Sequence, residues 1–204
     1  MSVLNQKTIN QNLNFFGVGL HSGNKVEMRL LPAAPNTGII FKRSDLSKNN
    51  IIYPSVYNVS NASYCTTLTN EFGVSVSTIE HLMAALYGLG IDNALIELNA
   101  SEPPIMDGSS KFFVEALEKA GIQELEEKRK EFVVKNVISF KDENSGSEIT
   151  IIPSEEYKVT TMVDFGTKIL GTQNASIASL SDFKNDISNC RTFSFLHEIE
   201  MLLN

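Results

Sequence analysis

Two adjacent residues, Glu80 and His81, have side chains suited to metal-assisted hydrolysis. An imidazole is a common metal ligand, and a carboxylate beside it can take a proton from water as general base. Neighbouring positions on a helix point about 100° apart, so Glu80 need not touch a metal that His81 binds. The pair lies in Ser77-Thr78-Ile79-Glu80-His81-Leu82-Met83-Ala84-Ala85-Leu86. Here Ile79, Leu82, Met83 and Leu86 follow the i, i+3, i+4, i+7 spacing of one helical face. Ser77 is expected as the N-cap, and with Glu80 three residues on it makes the S-x-x-E capping-box pattern. Gly88 and Gly90 are expected to stop the helix. On this wheel His81 lies opposite the apolar face, flanked by Ala84 and Ala85, which would let a second element approach closely. The same residues also fit a plain alternative, in which Glu80 only closes the capping box and His81 is a solvated surface residue.

The remaining chemistry-bearing residues are scattered. His21 sits in Gly17-Val18-Gly19-Leu20-His21-Ser22-Gly23. A phosphate-binding glycine loop should open into a helix, but Lys25 to Leu30 alternates polar and apolar like a strand, so a tight turn is expected. A structural hydrogen bond is the expected role of His21. Asp107, in Met106-Asp107-Gly108-Ser109, is placed either to cap the helix that follows or to reach a site. Cys65 and Cys190 have no metal or redox spacing and read as free thiols.

The elements that must position these groups follow from periodicity. Strands are expected at Lys7–Phe15, Lys25–Leu30, Gly38–Lys42, within Ile51–Val59, at Tyr64–Leu68 and Val74–Val76, and at Asn93–Leu98 with Ala94, Ile96 and Leu98 on one face. A second helix has Phe112, Phe113, Ala116, Leu117 and Ala120 as its apolar side and Gly121 as its stop. The charged run Glu124–Glu131 reads as a linker. Strands resume at Phe132–Phe140, Glu148–Pro153 and Lys158–Phe165. A helix is expected to begin near Ser181, Arg191–Phe195 to be extended, and His197–Leu203 to be a short helix. The pattern predicts an α+β protein, with a first domain over 1–126 and an incomplete second domain over 127–204. The chain is expected to be the N-terminal piece of a longer protein.

With 204 residues and 42% hydrophobic content, the chain has material for a real core. The formal charge of −7 and the absence of a basic stripe exclude nucleic acid as an expected partner. No apolar run approaches the ~18 residues of a membrane span, and Met1–Asn14 lacks the apolar stretch of a signal peptide, so a cytoplasmic protein is expected.

Several stretches together resemble the bacterial zinc-dependent UDP-3-O-acyl-N-acetylglucosamine deacetylases of lipid A biosynthesis. They are Gly17–Gly23, Pro35-Asn36-Thr37-Gly38, Ser77–Leu82, Gly88-Leu89-Gly90-Ile91-Asp92-Asn93, Pro104–Ser109 and Arg191-Thr192-Phe193, in the family's order. The resemblance implies two similar sheet-plus-helix domains stacked helix layer to helix layer, with the active site in the seam. It implies Glu80 as general base, His81 as a zinc ligand, and Thr192 as donor to the substrate carbonyl. It further implies that Tyr64, Cys65, Phe193 and Phe195 line the sugar and acyl-chain site. The expected substrate is a UDP-sugar lipid and the expected cofactor is Zn2+. The family's other ligands, a His and an Asp four residues apart, and its general-acid His are absent from this sequence, so 1–204 alone is expected to lack a complete metal site and activity. Some relatives carry a fused 3-hydroxyacyl-carrier-protein dehydratase. A non-enzymatic α+β module that docks a partner at His81 is the competing function class.

Overall fold

A computed structural model describes residues 4–196 and Glu200. In chain order the first part contains β1 (Asn5–Ile9), β2 (Leu13–Val18), β3 (Lys25–Pro32), β4 (Ile39–Arg43), β5 (Ile51–Ile52), β6 (Val59–Asn61), β7 (Thr67–Thr69), β8 (Ser75–Val76), α1 (Glu80–Gly88), β9 (Ala94–Leu98), α2 (Lys111–Ala120) and β10 (Ile122–Lys128). Five strands form the main sheet in the order β2-β3-β9-β4-β5, with β4 and β9 parallel and the other neighbours antiparallel. A three-stranded sheet, β6-β7-β8, stands beside it. The protein is α+β.

Alternation explains the sheet. In β3, Val26, Met28 and Leu30 are buried while Lys25, Glu27 and Arg29 are exposed. In β9, Ala94, Ile96 and Leu98 are buried, as their spacing predicts. The helices cover this apolar face. Leu82, Ala85 and Leu86 of α1 join Phe113, Val114 and Leu117 of α2 in one core with the strand residues. Phe113 meets Phe15 of β2 edge to face at 5.2 Å. Fully burying a side chain of this size stabilises the fold by roughly 1.5–3 kcal/mol.

The glycine turn at 17–23 joins two strands and opens no helix. Gly19 N–H donates to Asn24 O at 2.9 Å, Gly23 N–H donates to Gly19 O at 3.0 Å, and Gly23 has φ +64°. Gly17 and Gly19 matter for close approach. A Cβ at Gly17 would lie 2.8 Å from Pro104 Cβ, and one at Gly19 would lie 2.5 Å from Glu102 Oε2. The first glycine motif and the Pro-rich loop therefore pack on each other. A second pair of sequence motifs is joined by a buried polar network. Asn93, 1% exposed, accepts from Gly38 N–H at 2.9 Å and donates to Gln6 Oε1 at 2.9 Å, and Gln6 donates to Asn36 Oδ1 at 2.9 Å. These residues satisfy one another inside the fold.

Several expectations are corrected. The single strand at Lys7–Phe15 is two strands, broken at the polar Asn10-Gln11-Asn12, where Asn10 N–H turns to Gly121 O. Residues 51–59 hold only the short β5 before a 3₁₀ turn at Val56–Asn58, capped by Ser55. The charged run is a strand and not a linker. β10 pairs antiparallel with β1, with Asn5 opposite Lys128 and Ile9 opposite Ile122. It runs at the surface with its charges in water, so it carries no alternating apolar signal. In α2, Phe112 is 43% exposed and Val114 takes its place inside.

The second part contains β11 (Ile138–Lys141), β12 (Glu148–Ile151), β13 (Val159–Asp164) and β14 (Thr172–Ile177). They form two antiparallel hairpins, β11-β12 and β13-β14. The strand expected over 132–140 is confined to its last residues, and β14 has no counterpart in the sequence reading. A 3₁₀ turn at Leu180–Asp182 leads into a π-helical turn at Phe183–Ile187, where a helix start was expected. His197, with most of the helix expected at His197–Leu203, lies outside the described residues. On the outer side of α1, Ala84 and Tyr87 line a cavity of about 290 Å³ with Tyr157, Val159, Ile177 and Phe183.

Candidate functional site

The site is built around the start of α1. The expected capping box does not form. Helical geometry begins at Glu80, and Ile79 O accepts the first helical bond, from Met83 N–H at 2.9 Å. Ser77 is turned to Ser101 instead: its N–H donates to Ser101 O at 2.8 Å and its hydroxyl to the same oxygen at 3.3 Å. Thr78 between them has φ +55°. The far end of α1 follows the sequence. Ile91 N–H donates to Leu86 O and Gly90 N–H to Tyr87 O, with Gly90 at φ +70°, which is a Schellman stop. Ala85, expected beside His81, is fully buried, so Ala84 alone keeps that position.

Glu80 is half-buried, and its Oε2 accepts from the backbone N–H of Thr66 at 3.1 Å. This bond draws the Tyr64–Cys65 segment to the carboxylate. Tyr64 is 71% exposed, and Cys65 Sγ lies 3.6 Å from Thr67 Oγ1. His81 is half-buried, and its carbonyl accepts from Ser110 Oγ at 2.9 Å, which fixes α1 against the entry to α2.

The loop before α2 is a set of local turns. Asp107 accepts from Ser109 N–H at 3.1 Å and from the Ser109 hydroxyl at 2.7 Å. Ser109 Oγ in turn accepts from Lys111 N–H at 3.2 Å, so Asp107 supports the helix start at one remove and does not cap it directly. The Ser109 hydrogen bond, aided by the Arg191 guanidinium 3.5 Å away, holds the Asp107 carboxyl below its usual range. Gly108, at φ +81°, offers its carbonyl to Thr192 N–H at 2.8 Å. Thr192 Cγ2 sits 3.4 Å from where a Cβ on Gly108 would be. The Asp107 loop thus seats the Arg191–Thr192 segment, although 84 positions separate Gly108 from Thr192.

Phe193 and Phe195 pack edge to face at 5.8 Å, and both meet Phe165, at 5.3 and 6.4 Å. Phe165 was not singled out by the sequence reading; its only sequence signal is its place at the end of a strand pattern. His21 is exposed, and its backbone N–H donates to Glu102 Oε2 at 3.1 Å. That bond is structural and uses no imidazole atom. Glu102 is 2% exposed and was also missed.

A catalytic zinc site takes three protein ligands. Among the described residues no three His, Cys, Asp or Glu side chains gather to hold a metal ion. The described residues therefore do not assemble a three-ligand site around His81. Among them, no helix is long and apolar enough to cross a membrane.

Residues 6–204 match the family model of the UDP-3-O-acyl N-acetylglycosamine deacetylases. The chain belongs to this family. The UDP-3-O-acyl-N-acetylglucosamine deacetylase of Shewanella oneidensis is 41% identical over 200 residues, covering 97% of this chain and 65% of the relative. That of Wigglesworthia glossinidia brevipalpis is 39% identical over 204 residues, covering 98% and 68%. A relative named bifunctional enzyme LpxC/FabZ, from Bacteroides thetaiotaomicron, is 38% identical over 202 residues, 99% of this chain and 44% of its own length. The chain thus spans between about half and two thirds of the length of these deacetylase-family relatives.

Proposed function

We propose that the whole protein, of which residues 1–204 are the N-terminal part, is a zinc-dependent deacetylase acting in the cytoplasm. Its substrate is UDP-3-O-acyl-N-acetylglucosamine, and its step is the N-deacetylation of lipid A biosynthesis. The observation that carries this reading is the Glu80–His81 pair, held by Thr66 on one side and Ser110 on the other within a family match over nearly the whole chain. A division into two domains belongs to the same proposal, with the boundary expected at 126/127 moved past β10, which runs to Lys128 and pairs with β1.

Glu80 takes a proton from the attacking water as its oxygen bonds to the acetyl carbon. The C–N bond then breaks, the amine takes up a proton, and acetate leaves. Zinc, when bound, lowers the pKa of a water toward ~7 and polarises the carbonyl. His81 is its ligand from this chain, with the other ligands beyond residue 204. Thr192 holds the developing oxyanion. Its backbone N–H is committed to Gly108, so the donor it offers the substrate is its hydroxyl. Tyr64, Cys65, Phe193 and Phe195 line the sugar and acyl chain. The name of the Bacteroides relative gives a precedent for a second enzyme on the same polypeptide.

The test uses the full-length protein. Glu80→Gln is expected to lower kcat by about 10²–10⁴ with zinc content retained, and His81→Ala to lose zinc. A Glu80→Gln variant with unchanged kcat overturns the assignment of the base. The 1–204 chain, dialysed against low free zinc, is expected to hold well below one ion per chain. A stoichiometry near one that depends on His81 overturns the placing of the other ligands beyond residue 204.

A further inference from the structure

Thr78 combines three unfavourable features at one position. It is β-branched yet adopts φ +55°, a conformation that crowds its Cβ against the backbone. Its residue is 4% exposed, and its hydroxyl is buried with no hydrogen-bond partner among the described residues. It lies immediately after Ser77 and two residues before Glu80. Buried, strained and unsatisfied positions persist where the surrounding structure enforces them, and they gather at functional sites.

The sequence Ser77-Thr78-Ile79-Glu80 encodes a different, unstrained local structure. In a capping box, Thr78 would be the first helical residue with negative φ. Ser77 N–H would donate to the Glu80 carboxylate, and the Ser77 hydroxyl would accept from Glu80 N–H. None of this is observed. Ser77 N–H and hydroxyl both go to Ser101 O, and the Glu80 carboxylate is on Thr66 N–H. The left-handed turn at Thr78 is what separates the two arrangements.

We infer that Thr78 is a positioning residue for Glu80: its left-handed backbone keeps the capping box open and so reserves the carboxylate for the site. The inference rests on the reading of Glu80 as the base and says how the fold frees it from a structural task that its own sequence context offers. The strain is balanced by the bonds to Ser101 and Thr66, which anchor the segment on both sides.

The experiment compares Thr78→Gly, Thr78→Asn and Thr78→Pro in the full-length protein, measuring kcat, KM and melting temperature on the N-acetylated substrate. Glycine and asparagine accept the left-handed conformation at less cost than threonine, so both variants are expected to keep kcat within about twofold, with the melting temperature unchanged or raised. Proline fixes φ near about −65° and suits the first helical position, so Thr78→Pro drives the segment towards the box. Its kcat is expected to fall at least about tenfold with KM unchanged, since a shift of about 1 Å in a reacting group is enough for such a loss. That split between kcat and KM is one that a merely structural lesion would not show, and the glycine and asparagine variants hold the test open if the proline variant does not fold. Unchanged kcat in a folded Thr78→Pro, or a tenfold loss in Thr78→Gly or Thr78→Asn, overturns the inference. Failure of the underlying reading shows separately, as full activity in Glu80→Gln.

Discussion

Gly88→Ala tests how the 180–190 segment is seated on α1. Gly88 ends the helix with ordinary backbone angles, so in a free helix the change to alanine would stabilise by up to about 1 kcal/mol. Here a Cβ at position 88 would fall onto the ring of Phe183, touching Cγ, Cδ1 and Cε1 closer than van der Waals contact allows. Phe183 is 6% exposed and belongs to the main core, so its ring has little room to yield. Overpacking of this kind costs about 1–3 kcal/mol, which outweighs the propensity gain. The expected net effect is a loss of up to about 2 kcal/mol, read as a lower urea midpoint with unchanged slope. Phe183→Ala alone is expected to cost about 3–5 kcal/mol, as for a buried aromatic ring. In that background the added methyl meets no ring, and Gly88→Ala becomes neutral or stabilising. The double-mutant cycle is therefore expected to give a coupling of about 1–3 kcal/mol. Stabilisation by Gly88→Ala in the otherwise unchanged protein, or additivity of the two changes within about 0.5 kcal/mol, would refute this seating of Phe183 on α1.

Other expectations follow from the described contacts. Asn93→Ala removes the acceptor of Gly38 N–H and the donor to Gln6, leaving buried polar groups unpaired. It should cost about 2–4 kcal/mol and lower the melting temperature by several degrees, as followed by circular dichroism. Asp107 has a folded-state pKa below its usual value, through the Ser109 bond first, so the stability it lends is present above about pH 4 and is lost as pH falls through the lower folded value. Acid titration of unfolding should then show a weaker dependence below pH 4 in Asp107→Asn, and identical acid limbs would contradict this account. Gly19→Ala would drive a methyl into the Glu102 carboxylate and the Ser22 hydroxyl, and is expected to destabilise by about 1–3 kcal/mol. A neutral result in thermal melting would mean that the two loops are not in contact there.

The sequence made β3 and β9 of the main sheet legible, because one face of each is buried. Ala94, Ile96 and Leu98 alternate because their neighbours Leu95 and Glu97 face the other way, and the stop of α1 was written in Gly88 and Gly90. It was silent where pairing occurs without burial. β10 and β14 are held by backbone bonds along mostly exposed strands, so neither needs apolar alternation. The capping box failed as an expectation because Ser101, distant in sequence, outcompetes the local partner of Ser77. For the candidate site, the motifs singled out Glu80, His81, Asp107 and Thr192, but not the bonds that hold them. Thr66, Gly108 and Ser110 act through backbone groups or a hydroxyl directed at backbone, and such contacts leave little mark on residue type.

The pairing of β1 with β10 has a topological consequence. Asn5 lies opposite Lys128, and Arg129 N–H donates to Leu4 O at 2.9 Å, so the unit that carries Thr66, Glu80, His81 and Ser110 begins and ends at neighbouring points. It is a ring in all but one short link. A short bridge from residue 129 back to residue 4 would close it, and the exposed turn at Ser47-Lys48-Asn49 offers a place to open it again. The chain order of this unit is then separable from its shape. The half of the candidate site built on α1 should survive circular permutation, because the bonds from Thr66 to Glu80 and from Ser110 to His81 lie inside the ring.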